Sequence, residues 1–370
     1  MINKLSLGPT RQCRWIGLWD DLPLPESAAS GRHTHRVLRV YLDQNQWVYL
    51  AQARTGRPQG VGFLEAYEAA KTAVQAGTTS FPLSAAHYFE THKRADADSR
   101  LDLARTMLEL SELDAIAPPH VIVPYEIEVA LIKVLDLPNE LPGPLKVFGH
   151  GANHALATTM FSYLPPEEMA WLTLRPDSRK LATAIGQAHL ELFALADHLP
   201  VGRDMRMKLN GHMRLTGDEF VSGQNSVRDS LAEIGRHRLG HLMTGTAIVD
   251  ILDPLEEAAH GLGVDLNRLY DRGREALEPL IDAMPSRWVE RELRRLRQSN
   301  PQKRWEGNDL NDVTALAISV PYCDVVITER GWSAMINDGK VNKRFDTRVL
   351  ADLRRLPEVL DSPSPLLDRP

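Results

Sequence analysis

Apolar residues change spacing several times along this chain, and each change marks an element. Val37-Leu38-Arg39-Val40-Tyr41-Leu42 is a short β-branched, apolar run that stops at Asp43-Gln44-Asn45-Gln46, so a buried strand hands over to a polar helix start. Phe63 to Ala76 and Ser99 to Leu113 carry apolar residues at helical spacing. Pro118-Pro119-His120-Val121-Ile122-Val123-Pro124 interrupts, and Tyr125 to Val134 is helical again. Leu137-Pro138-Asn139-Glu140-Leu141-Pro142-Gly143-Pro144 is the strongest linker signal. Beyond it strand signals nearly vanish, and helices are predicted from Pro165, over Asp177 to His198, Gly217 to Arg236, Thr246 to Gly261 and Asp265 to Met284. A helix beginning at Pro285 brings the chain back to a second short strand, Asp324-Val325-Val326-Ile327.

These blocks predict an α/β protein with a parallel sheet flanked by helices and a large all-helical insertion. The expected divisions are an N-terminal arm over 1–35, a first core half over 36–135, the insertion over 136–285, a second core half over 286–355 and a C-terminal tail over 356–370.

Acidic residues fall at element ends. Asp43 follows the first strand, and Glu329 follows the second through Ile327-Thr328. Asn308-Asp309-Leu310-Asn311-Asp312 opens an apolar helix with two carboxylates three residues apart, which share a face and repel unless a cation or proton intervenes. Ser84 is an N-cap candidate for a helix that carries Glu90 two turns in. In open parallel sheets the carboxyl edge is where ligands bind, so distant segments can aim these acids at one place. An Asp at a helix start also serves as an ordinary N-cap, a reading that applies to Asp43 and Asp309 individually. Asp324 reads as a solvated residue at the strand end.

In this order, strand-Asp43, Ser-started helix with Glu90, Asp312 opening a later helix, and strand-Thr328-Glu329, the chain resembles the PIN-domain family of metal-dependent ribonucleases. The resemblance covers about 36–135 and 300–350, less than half of the sequence. It implies a PIN-like parallel sheet, catalytic and metal-ligating roles for Asp43, Glu90, Asp312 and Glu329, a Mg²⁺ or Mn²⁺ cofactor, RNA as substrate with DNA as the alternative, and self-association as a homodimer. Three departures stand out. Glu329 occupies a position where the family has Asp, Asp309 is an additional acid beside Asp312, and a long middle region separates the halves. Spacing to the strand favours Asp312 over Asp309 as the principal ligand.

The donor chemistry leads the same way. Mg²⁺ and Mn²⁺ prefer hard oxygen ligands, and Mg²⁺ takes one or two carboxylates while keeping several waters. Such a site supports phosphodiester hydrolysis without a Lys or His base, since the metal itself makes water more acidic. Thr328, with Asn45 or Asn308, is placed to orient the carboxylates by hydrogen bonds. The alternatives are a structure-selective DNA nuclease and an inactive PIN-like scaffold that binds RNA or a protein.

Formal charge is −6, so affinity for a polyanion has to come from local patches. The basic run from Arg287 to Arg304 is the clearest, and Arg291, Arg294, Arg295 and Arg304 are its candidate phosphate contacts. Trp47, Tyr49 and Trp332 flank the acids and are candidates for stacking on a base. Cys13 and Cys323 are too few and too far apart for a disulfide framework, which with the absence of a signal pattern or an 18-residue apolar run predicts a cytoplasmic protein. His150/His154 and His237/His241 have zinc-like spacing but no convincing further ligand. Phosphate-binding glycine loops and the Gly-x-Ser-x-Gly nucleophile motif are absent.

Overall fold

The computed structural model describes residues 37–158, 186–188, 190–196, 202–300 and 302–361. The expected N-terminal arm, the helix expected from Pro165, part of the helix over Asp177 to His198 and the end of the tail lie outside the described residues. Strand β1, Leu38–Leu42, forms where the sequence is β-branched and apolar, and helix α1, Gln44–Arg54, begins at once because the Asp43 carboxylate accepts the Gln44 amide at 2.7 Å.

Helix α2, Leu64–Gln75, leads to strand β2, Thr79–Ser80, and then come α3, Ala85–Lys93, and α4, Ala97–Ser111. The Ser84 amide donates to the His87 ring at 2.9 Å, a reciprocal cap that fixes the start of α3. After β3, Asp114–Ile116, helix α5 runs over Pro119–Val134. Here the chain departs from expectation: Pro118 to Pro124 is not an interruption. Pro119 occupies the first helical position, where its missing N–H costs nothing, and Pro124 is absorbed inside the helix.

Strand β4, Phe148–His150, returns through the Pro-rich segment to pair antiparallel with β3, and α6, Gly151–Ala155, follows. Helix α7 spans Gly202–Ile234, and the two long helices expected next are each broken, into α8, Leu239–Val249, and α9, Leu252–Gly261, then α10, Asn267–Tyr270, and α11, Arg274–Asp282. The latter break occurs at Gly273, whose φ of +54° a Cβ-bearing residue rarely adopts. Helix α12, Pro285–Ser299, and α13, Asp309–Tyr322, then bring in β5, Val325–Ile327, α14, Arg330–Asp338, β6, Arg348–Leu350, and α15, Leu356–Asp361.

The main sheet is four-stranded and parallel, in the order β2-β1-β5-β6. Leu38, Val40, Leu42, Val325, Ile327 and Leu350 face one apolar layer, with residues of α1 to α4. Tyr41, Val326 and Val349 face the other, with α12 and α13. This period of two buries both faces, as parallel sheets require. A third apolar cluster joins Ile127 and Leu131 of α5 to Ile248, Leu255, Leu280 and Ile281, so the helices after α7 pack on the α/β core. From β1 the chain moves outward to β2, whereas from β5 it moves the opposite way to β6. The crevice between β1 and β5 is therefore the topological switch point, the favoured ligand site of such sheets. No described helix is long and apolar enough to cross a membrane.

Candidate active site at the carboxyl edge of the sheet

Leu42 and Ile327 lie in register on β1 and β5, so Asp43 and Thr328-Glu329 leave the sheet side by side. The Asp43 amide donates to the Ile327 carbonyl at 2.9 Å, which extends the pairing to the rim. The Asp43 carboxylate accepts the Thr328 hydroxyl at 3.0 Å and the Gln44 amide at 2.7 Å, and the Glu329 amide also donates to it. Glu329 stands at the N-cap of α14, where its own carboxylate accepts the Asn45 amide group at 2.6 Å. Asp43 thus caps α1, as the ordinary-cap reading expects, and binds the rim together.

Helix α13 delivers Asp312 in its first turn, where Trp332 of α14 donates its indole N–H to Oδ2 at 3.0 Å. Glu90 on α3 is held by Asn311, one residue before Asp312. The four acids come from four elements and feel one another. Burial, then Asp43, Glu90 and Glu329, raise Asp312 to about 8 despite its indole bond. Burial and Asp43 lift Glu90 to about 7, partly countered by nearby Lys93. Burial raises Asp43 against the pull of its three donors. Among the described residues no Arg or Lys forms an ion pair with any of the four, although arginine pairs abound elsewhere.

Neutral donors therefore orient these carboxylates, no ion pair among the described residues holds them, and Lys93 offsets Glu90 only in part. That is a poor arrangement for stability and a suitable one for a hard divalent ion. Among the described residues, no three His, Cys, Asp or Glu side chains stand ready as a direct metal cage. An ion held here would have to take one or two of these carboxylates and keep its waters, unlike zinc with its three or four protein ligands.

Other expected residues go elsewhere. Asp309 turns from this crevice: its carboxylate pairs with Arg297 at 2.7 Å and accepts the Glu306 amide at 2.8 Å, closing the loop before α13. Asp324 is 2 % exposed rather than solvated, and Oδ2 accepts the Arg39 amide at 2.8 Å, satisfying a backbone donor at the start of the sheet. The basic helix α12 is spent on structure. Arg291 pairs with Asp282 and Glu292, Arg294 with Asp250 and Glu290, and Arg295 with Glu292. Arg304 is exposed, and its backbone carbonyl holds Arg297. Trp47 and Trp332 are buried, which leaves Tyr49, 37 % exposed, as the accessible aromatic of the three.

His154 reaches the Val147 carbonyl, an intramolecular role for that ring, and His237 lies in a short 3-10 turn before α8 rather than on one helix with His241. Sequence reasoning gives no role to Asn311 and considers Trp332 only for stacking. Asn311 is detectable, since it lies within the Asn/Asp cluster that opens α13, but the indole bond depends on α14 folding back over α13. No protein-family model, no curated protein and no solved structure matches this chain.

Proposed function

We propose that this protein is a divalent-metal-dependent nuclease that hydrolyses phosphodiester bonds of unpaired RNA at the crevice between β1 and β5. The observation that carries this reading is the gathering of Asp43, Glu90, Asp312 and Glu329, with no ion-paired Arg or Lys among the described residues, at the switch point of a parallel sheet. RNA is taken from the PIN-like order of the acids. A DNA substrate has the same phosphodiester chemistry and is the competing outcome.

Asp43 and Asp312 would hold the ion, with Glu90 and Glu329 directed at its waters. When bound, Mg²⁺ or Mn²⁺ supplies Lewis acidity toward water and phosphate oxygens. The chain's contribution is orientation. Thr328 and two backbone amides fix Asp43, Trp332 fixes Asp312, Asn45 fixes Glu329 and Asn311 fixes Glu90, so little rearrangement is needed. Burial of Asp43, Glu90 and Asp312 strengthens any charge interaction made there. Glu90 is raised to about 7 in the metal-free chain and would give up that proton as the ion binds.

The test is incubation of the full chain with one sequence as single-stranded RNA and as single-stranded DNA, in Mg²⁺, Mn²⁺ and chelator. Metal-dependent cleavage that Asp43→Asn and Asp312→Asn abolish supports the reading. Cleavage unaffected by chelator refutes it.

A further inference from the structure

Helix α1 presents few side chains to solvent near the site. Asn45 and Tyr49 are exposed and four residues apart, so they share one face with Cβ atoms about 5–6 Å apart. Asn45 is already committed to Glu329. Tyr49, one turn further on, stacks on Phe63 with ring centroids 4.5 Å apart and planes 11° from parallel. Val61, 70 % exposed, and Leu64, 48 % exposed, flank Phe63 in sequence and leave an apolar surface in water. Surface apolar residues gathered this way mark a contact site more often than chance does.

The start of α14, directly after Glu329, carries basic residues. Lys303 is exposed, and a side chain built at Gly331 would begin 3.5 Å from its Nζ, which places the ammonium over the first turn of α14. Arg330, the first residue of that helix, is exposed as well. Neither forms an ion pair among the described residues, unlike the arginines of α12. Glu329 thus adjoins both surfaces, the aromatic one through Asn45 on α1 and the uncommitted cations through Arg330 and Gly331 on α14.

We propose that a single-stranded nucleic acid crosses this strip, with a base stacked on the Tyr49–Phe63 pair and a neighbouring phosphate held by Lys303 and Arg330. Building on the nuclease reading, this names the residues that hold the unpaired strand. The occupant follows from the pairing of features: a stacked aromatic takes the open face of a base whatever its identity, and the cations take the backbone. A duplex keeps its base faces covered and cannot use Tyr49.

The experiment measures fluorescence anisotropy of a labelled 12-nucleotide RNA, the same DNA and their duplexes, with full-length Asp312→Asn protein in Mg²⁺ so that turnover does not intervene. Adding Tyr49→Ala should weaken single-strand binding about tenfold, Tyr49→Phe should retain it, and duplex binding should be weaker and indifferent to Tyr49. Lys303→Ala should weaken binding and reduce its salt dependence. Single-strand binding left unchanged by Tyr49→Ala overturns the proposal, as does a duplex that binds as tightly as its strands. Dimers of the native protein that Tyr49→Ala dissociates would assign the surface to a second copy, which also overturns it. The two readings fail separately: native cleavage with no Tyr49 dependence sinks the track alone, whereas Tyr49-dependent binding without native cleavage supports the track and sinks hydrolysis.

Discussion

The Thr328 hydroxyl donates to the Asp43 carboxylate across 3.0 Å, joining the rims of β1 and β5, whose residues lie 285 positions apart in sequence. Asp43 also accepts two backbone amides, so Thr328 sets the orientation of a carboxylate already fixed at one end. Thr328→Val keeps the shape and removes the donor. It should lower metal affinity or turnover roughly 10–100-fold, with Thr328→Ser recovering most of it. Titration of Mn²⁺ against both variants checks this; a valine variant that binds Mn²⁺ like the native protein would remove Thr328 from the site.

The acid cluster should cost stability when no metal is bound. Glu90 rises from 4.5 to about 7 and Asp312 from 3.8 to about 8, so between those limits the folded chain binds more protons than the unfolded one. Their contribution is full below about pH 4 and is lost as pH climbs through 7 and 8. In chelator, melting temperature should fall across that window. Asp312→Asn should flatten the fall and raise melting at pH 8 by roughly 2–4 °C. A variant less stable than the native chain at pH 8 would contradict this account.

Metal binding has to displace the same protons. Calorimetric titration of Mn²⁺ at pH 7 in buffers of different ionisation enthalpy should show proton release that shrinks by pH 9, with apparent affinity rising over the same range. Buffer-independent heats at pH 7 would show that the carboxyls are already ionised.

Asp309 and the arginines of α12 should behave as structure. Asp309→Asn loses the Arg297 ion pair and should destabilise by about 1–3 kcal/mol while leaving Mn²⁺ affinity intact. Arg294→Ala removes one of the two arginines that hold Glu290 and Asp250, leaving Arg287 alone, so it should lower melting temperature without changing KM for an oligonucleotide. Weakened oligonucleotide binding in Arg294→Ala at unchanged stability would restore the basic helix as a phosphate contact.

What the sequence discloses is mostly local. Asp43 can be placed because a β-branched run ends abruptly in polar residues, and Asp312 because carboxylates open an apolar helix. Both signals depend on a few adjacent residues. Asp324 reads as solvated because nothing nearby in sequence reveals that Arg39, 285 residues away, buries its carboxylate under a strand amide. Arginine density on α12 suggests a polyanion, yet Asp250 and Asp282, supplied by the helical region, absorb it. Pro124 reads as a breaker because local propensity counts one lost hydrogen bond, whereas the apolar cluster around Ile127 and Leu131 outweighs it.

The most direct measurement is the rate at which the full chain cuts a single-stranded RNA in Mn²⁺, compared with Asp43→Asn and Asp312→Asn proteins confirmed as folded. The proposed metal-dependent hydrolysis at these four carboxylates requires cleavage by the native chain, none in chelator, and at least about a hundredfold loss in each variant. Cleavage at native rate in both variants, or none by the native chain on RNA or DNA in either metal, would contradict it.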